Sequence, residues 1–209
     1  MGVIAGYLIN SANPVTVGGT GTAAKYFPST PVQPAWLSGA PGVNTSSDSH
    51  QFGNQPSSTS AAGQLVFPGD GKLDGVRSQI LVTGTFGSDT GDPSGTVNIE
   101  VVANTGTVAS PSYTVLASTS ATVPTLAAAE DFGIYLNVFG SSKSGVLNGT
   151  YSAMINNVLV NSTPKALNNT LTGLNFAASQ PFGLLVRVTF GTSDATNTAS
   201  LTQFQVVSE

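Results

Sequence analysis

The residues able to do chemistry are few, and most stand alone. Acidic side chains occur in small groups: Asp70 with Asp74, Asp89 with Asp92, and Glu130 with Asp131. Calcium wants several oxygens converging from one loop, commonly from Asp at alternate positions. The loops PGDGKLDG and GSDTGDPSG each fall one or two ligands short of that. Asx residues in Gly-rich loops more often cap turns. A glycosidase needs two carboxylates facing each other across a cleft. Glu100 is the only glutamate inside an expected strand, and no second carboxylate stands near it in a strand position. His50, the single histidine, sits in a Ser-rich stretch, a poor platform for a base that must be held beside a nucleophile. No Gly-x-Ser-x-Gly elbow follows a strand and no Gly-x4-Gly-Lys-Ser/Thr loop occurs. The expectation is a protein that is not an enzyme and that uses no cofactor or metal.

Aromatic side chains are the remaining chemistry, because they stack on sugars. Trp36 is the only tryptophan, in VQPAWLSGAP. Tyr135, Phe139 and Tyr151 would form a platform if their sheet face is exposed, and core or subunit interface if it is covered. A lectin-like contact set would draw on Asn156-Asn157 and the loops after Gly87 and Gly191.

Composition narrows the partners. Charged residues are 8% of the 209, against roughly 25% in an average domain, so Ser, Thr, Asn, Gln and Gly must supply the polar surface. So little charge gives little protection against association, and self-association is the expectation. The net charge is -4, and the basic residues Lys25, Lys72, Arg77, Lys143, Lys165 and Arg187 are scattered. No patch exists to neutralise phosphates, so no nucleic-acid partner is expected. There are no cysteines, hence no disulfide framework and no thiolate site. MGVIAGYLI lacks the basic start of a signal peptide, and no apolar run is long enough to span a bilayer, so no membrane partner is expected either. The Asn-x-Ser/Thr triplets at Asn44, Asn148, Asn161 and Asn168 read as chance in a Ser/Thr-rich chain.

Two regions must position these residues. Residues 1–62 hold six of the 12 prolines, the run VGGTGTAAKY, and the polar stretch GVNTSSDSHQFGNQPSSTSAAG. Pro blocks helices and central strands, and such a segment buries too little to offset its ordering entropy. A plain linker, however, does not need Tyr7, Tyr26, Phe27, Trp36, Leu37 and Phe52. We therefore expect an extended arm whose aromatic and aliphatic residues make contacts, on a neighbouring subunit in preference to its own domain.

Residues 63–209 read as short alternating strands between turn clusters. Leu184, Val186, Val188 and Phe190 form one stripe, and Val97, Ile99, Val101 and Ala103 another. Phe132, Ile134, Leu136 and Val138 form a third, with Tyr135, Asn137 and Phe139 opposite. Tyr113, Val115 and Ala117 are expected to face inward. A phase change near Thr202 and Gln203 predicts a bulge. Asn156-Asn157 suits a primed two-residue turn. Pro181 to Val207 is expected to be two strands joined as a hairpin by a polar loop. TVPTLAAAED is the one candidate helical turn, and 171–176 a further short strand. The fold class is all-β: an antiparallel β-sandwich or jelly roll of about eight to ten strands with an extended N-terminal arm. The face holding Leu185 and Arg187 carries too little charge for free water. It is expected to meet a second sheet, the arm or another subunit, which makes both residues candidate interface positions.

The arm GYLINSANPVTVGGTGTAAKYFPSTPVQPAWLSG, followed by a cysteine-free, charge-poor β domain ending FGTSDATNTASLTQFQVV, resembles tailed-bacteriophage virion structural proteins, in particular capsid decoration or cement proteins with jelly-roll folds. The resemblance implies a homo-oligomer in the virion, bound to a major capsid or other virion protein. The alternatives are a lectin-like carbohydrate-binding jelly roll, with a glycan as partner, and a tail or neck component.

Overall fold

The computed structural model describes residues 2–7, 15–18, 25–27, 65–67, 75, 77–88, 95–104, 113–123, 129–141, 146–169, 182–191 and 197–208. For the first four segments the description is of backbone and strand register. In chain order the strands are β1 (Gly2–Tyr7), β2 (Val15–Gly18), β3 (Lys25–Phe27), β4 (Leu65–Phe67), β5 (Arg77–Gly87), β6 (Thr96–Asn104) and β7 (Tyr113–Thr122). They continue with β8 (Glu130–Ser141), β9 (Val146–Ile155), β10 (Val158–Leu159), β11 (Lys165–Ala166), β12 (Phe182–Phe190) and β13 (Thr198–Ser208). Among the described residues there is no helix. The helical turn expected in TVPTLAAAED and the strand expected at 171–176 fall largely or wholly outside them.

The strands form two antiparallel sheets. The larger has eight strands, in the order β1-β13-β5-β8-β9-β10, with β2 also on β13 and β11 also on β9. The smaller has five, in the order β3-β12-β6-β7, with β4 also on β12. This is the β-sandwich that the alternation implies. From Leu65 onward it uses ten strands, β4 to β13. The three stripes read at 97–103, 132–138 and 184–190 face the space between the sheets, where Val97, Ile99, Val101, Ile134, Leu184, Val186 and Val188 are fully buried in one cluster with Ile80 and Val82 of β5. Phe86 and Phe132 meet there with ring centroids 6.5 Å apart.

Three expectations are corrected. β12 and β13 are not a hairpin: β12 lies in the five-stranded sheet and β13 in the eight-stranded one. A period of two reports that a strand has one buried face, not which sheet supplies its neighbours. In β7 the phase fails. The register slips between Val101 and Val102 of β6, leaving Leu116 as the extra residue, and Leu116 and Ala117 both face the core while Tyr113 and Val115 are only half-buried. Tyr151, grouped with Tyr135 and Phe139 as platform or core, lies on the opposite face from them and is core, at 3% exposed.

Two local readings are met. The register of β13 on β5 slips between Leu201 and Gln203, the expected bulge. Asn156 and Asn157 have φ of 48° and 62° and join β9 to β10, as a primed turn requires. Asn156 Oδ1 also accepts a hydrogen bond from the Asp131 N–H at 3.0 Å.

Segments of the arm fold back on their own domain. β1 and β2 pair side by side along the outer edge of β13, opposite β5, and β3 and β4 do the same along β12. The strands nearest the chain start therefore close the two sheet edges that β12 and β13 would otherwise expose. At the far side, residues 167–169 tie the sheets together. Asn168 N–H donates to Leu116 O at 2.8 Å, and Asn168 Nδ2 donates to Ser118 Oγ at 2.8 Å. Its Oδ1 accepts from the Tyr151 hydroxyl at 3.1 Å, and Asn169 Nδ2 donates to Val115 O at 2.8 Å.

Candidate functional site

The two outer faces of the sandwich differ. On the five-stranded sheet, Leu185 and Val102 sit opposite each other and are 1% and 0% exposed, although neither belongs to the central core cluster. That face is covered at this pair, while Thr96, Ser120 and Thr122 further along it are exposed. Beside them Arg187 is opposite Glu100, and Arg187 Nε donates to Glu100 Oε2 at 2.6 Å. The pair uses the strand-borne Glu100 as an ion-pair partner. Of the candidate interface residues, Leu185 is thus inside the chain and Arg187 is paired. Tyr7 lies in register with Phe204, Tyr26 with Arg187 and Phe27 with Val186. Trp36, Leu37 and Phe52 lie outside the described residues, as do His50, Asp70, Asp74, Asp89 and Asp92. Among the described residues no group of three His, Cys, Asp or Glu side chains is placed to hold a metal ion.

The outer face of the eight-stranded sheet is open and bears polar and aromatic side chains. Strand alternation points Arg77, Gln79, Leu81 and Thr83 of β5 outward, with Tyr135, Asn137 and Phe139 of β8 and Asn148, Thr150 and Ser152 of β9. Cross-strand register orders them in rows: Arg77, Phe139 and Asn148; then Gln79, Asn137 and Thr150; then Leu81, Tyr135 and Ser152. Phe139 is 45% exposed, an unusual position for a large apolar ring.

A cleft of about 280 Å³ opens between the first two rows, lined by Arg77, Ser78, Asn137, Val138, Phe139, Gly149 and Thr150. Ser78, Val138 and Gly149 form the row in between, whose side-chain positions turn inward, so the cleft floor is sheet backbone. Its walls are an arginine, an amide, a hydroxyl and a phenyl ring.

Tyr135 stands next along β8, and its ring lies down on the sheet. A Cβ placed on Gly133, the preceding residue on that face, would come within 2.9 Å of both Tyr135 Cε2 and the hydroxyl oxygen. Only glycine leaves the room for the ring to lie flat there. The hydroxyl end of the ring therefore lies over Gly133. The α-carbons of Tyr135 and Phe139 are roughly 13 Å apart along the strand, with Asn137 between them. Strand phase made this set legible in the sequence apart from Arg77 and Thr150, which joined it only through register.

The fold and this face define a class: an antiparallel two-sheet β-sandwich of jelly-roll type with an open polar and aromatic face on its larger sheet. The sequence matches no family model and no curated protein. Among solved structures it is similar to an alginate lyase from Pseudomonas aeruginosa, at 11% identity and a TM-score of 0.30, over 73% of this chain and 77% of that one. It is also similar to a legume lectin-like domain from Entamoeba histolytica, at 7% identity and a TM-score of 0.29, over 63% and 72%. A third is an alginate lyase of polysaccharide lyase family 7, at 11% identity and a TM-score of 0.30, over 75% of each chain. These likenesses bring no activity to this chain.

Proposed function

We propose that the protein binds carbohydrate on the open face of its eight-stranded sheet. One observation carries the reading: the end of the Tyr135 ring lies over Gly133 beside a cleft walled by Phe139, Asn137, Thr150 and Arg77. A ring laid on a sheet offers its face to the apolar face of a sugar, while neighbouring amide, hydroxyl and guanidinium groups meet the sugar's oxygens. A rigid sheet holds the backbone of such groups in place, so binding has only their side chains to order.

Affinity gel electrophoresis through soluble polysaccharides tests this. The wild-type protein is expected to be retarded, and Tyr135→Ala and Phe139→Ala to lose most of the retardation while melting within a few degrees of wild type. Gly133→Ala, which pushes the ring off the sheet, is expected to weaken binding too. No retardation on any polysaccharide, or variants that bind like wild type, overturns the reading.

A second reading, a virion structural protein that self-associates and contacts a capsid protein, is favoured by a different observation. Val158, Leu159 and Val160 are 68%, 52% and 49% exposed at the outer edge of the same sheet, with no charged residue from Asn156 to Pro164. Solution mass at micromolar concentration tests it, and a stable monomer counts against it.

A further inference from the structure

We infer that the sugar this cleft takes is anionic, with a carboxylate or sulfate group seated on Arg77. The inference rests on the carbohydrate reading and adds the ligand's charge class.

The donor and acceptor inventory of the cleft is lopsided. Arg77 carries five N–H donors and no acceptor, Asn137 two donors and one carbonyl, and Thr150 a hydroxyl that does both. No carboxylate lines the cleft. A neutral sugar presents hydroxyls that need acceptors as much as donors, and this cleft is short of acceptors. An anionic oxygen pair, by contrast, matches the guanidinium fork.

Charge placement agrees. Arg77 is exposed, and among the described residues no acid pairs with it. Glu100 is bound to Arg187 on the other sheet. Asp131 shares the open face but lies six residues along β8 from Asn137, roughly 20 Å at 3.3 Å per residue. That exceeds a Debye length of about 8 Å at physiological ionic strength, so the carboxylate does not neutralise the cleft. Among the described residues, the cleft's lining holds one cation and no anion.

Geometry supplies the sugar ring. Arg77 and Phe139 are direct cross-strand partners on the same face. Side chains opposite each other in an antiparallel pair lie within about 5.5 Å at Cβ, so cation and ring stand side by side. A pyranose bearing an acidic substituent offers an apolar ring face and an anion at that separation.

The test compares retardation of the full chain in dextran, dextran sulfate and polygalacturonate. At low salt we expect at least one charged polymer to bind about tenfold or more tighter than dextran, with the preference shrinking as salt is raised. Arg77→Gln is expected to bring that polymer down to the dextran level, and Arg77→Lys to fall between, since it keeps the charge and loses the fork. Preference for polygalacturonate alone assigns a carboxylate, for dextran sulfate alone a sulfate ester, and equal binding of both an anion site of either kind. Dextran binding as tight as the charged polymers, or Arg77→Gln leaving the preference intact, overturns this inference while the carbohydrate reading stands. Retardation by none of the three, extended to other neutral and charged polysaccharides, overturns both.

Discussion

At the scale of single residues, the chain spends its scarce charge deliberately. Glu100 and Arg187 face each other across β6 and β12, with side chains 11% and 22% exposed. Two charges taken this far from water are costly unless they stay paired. Arg187→Ala leaves the Glu100 carboxylate without its cation, and we expect it to destabilise the fold by about 3 kcal/mol. The paired replacement Glu100→Met with Arg187→Met should recover most of that loss. Urea unfolding of the three variants measures both, and a single variant no less stable than the double would count against the pair's role. The sequence showed Glu100 pointing outward but not its partner, because 87 residues separate the two. Asn168 was harder still. Read as a chance glycosylation triplet, it bonds both sheets through its amide, a role set by where residues 167–169 pass β7 and β9.

At the scale of elements, local signals were legible and partnerships were not. The β9–β10 turn is local: both central residues must adopt positive φ, and Asn tolerates this better than other side chains except Gly. We expect Asn157→Gly to hold or raise the thermal midpoint. Asn157→Val, with its branched Cβ in the left-handed region, should cost about 1–3 kcal/mol in denaturant unfolding. Equal midpoints for the two variants would refute the turn assignment. The bulge in β13 announced itself by a phase change between Leu201 and Phe204. The one in β7 did not, because Tyr113, Val115 and Ala117 alternate well enough to hide the extra Leu116. Tyr151 misled in the same way. An aromatic in strand phase looks the same whether its face is open or closed, and here it faces the core.

At the scale of the whole molecule, the first 67 residues matter through edges. β1 and β2 cover β13, and β3 and β4 cover β12, so each sheet ends on a short strand from the chain's beginning. Removing residues 2–62 strips three of those four and leaves long apolar strands with open hydrogen-bonding edges. We expect the truncated protein to associate at micromolar concentration beyond whatever the full chain does, as sedimentation velocity would register. A truncated chain that sediments like the full one would mean that the arm protects no edge.

Alternation of apolar and polar side chains, read from the sequence by itself, determined that the protein is all-β, the core stripes of β6, β8 and β12, and that Tyr135, Asn137 and Phe139 share one face, while Asn156-Asn157 marked where β9 turns into β10. Each of these is set by neighbours a few positions apart, through a period of two or a backbone angle. Only the tertiary structure decided which sheet each strand joins, that Leu185 and Val102 are buried on the five-stranded sheet's outer face while the eight-stranded sheet's is open, and that Arg77 stands beside Phe139 over a cleft. Those facts depend on pairings between residues far apart in the chain, and the periodicity of a strand is the same whichever partner it finds.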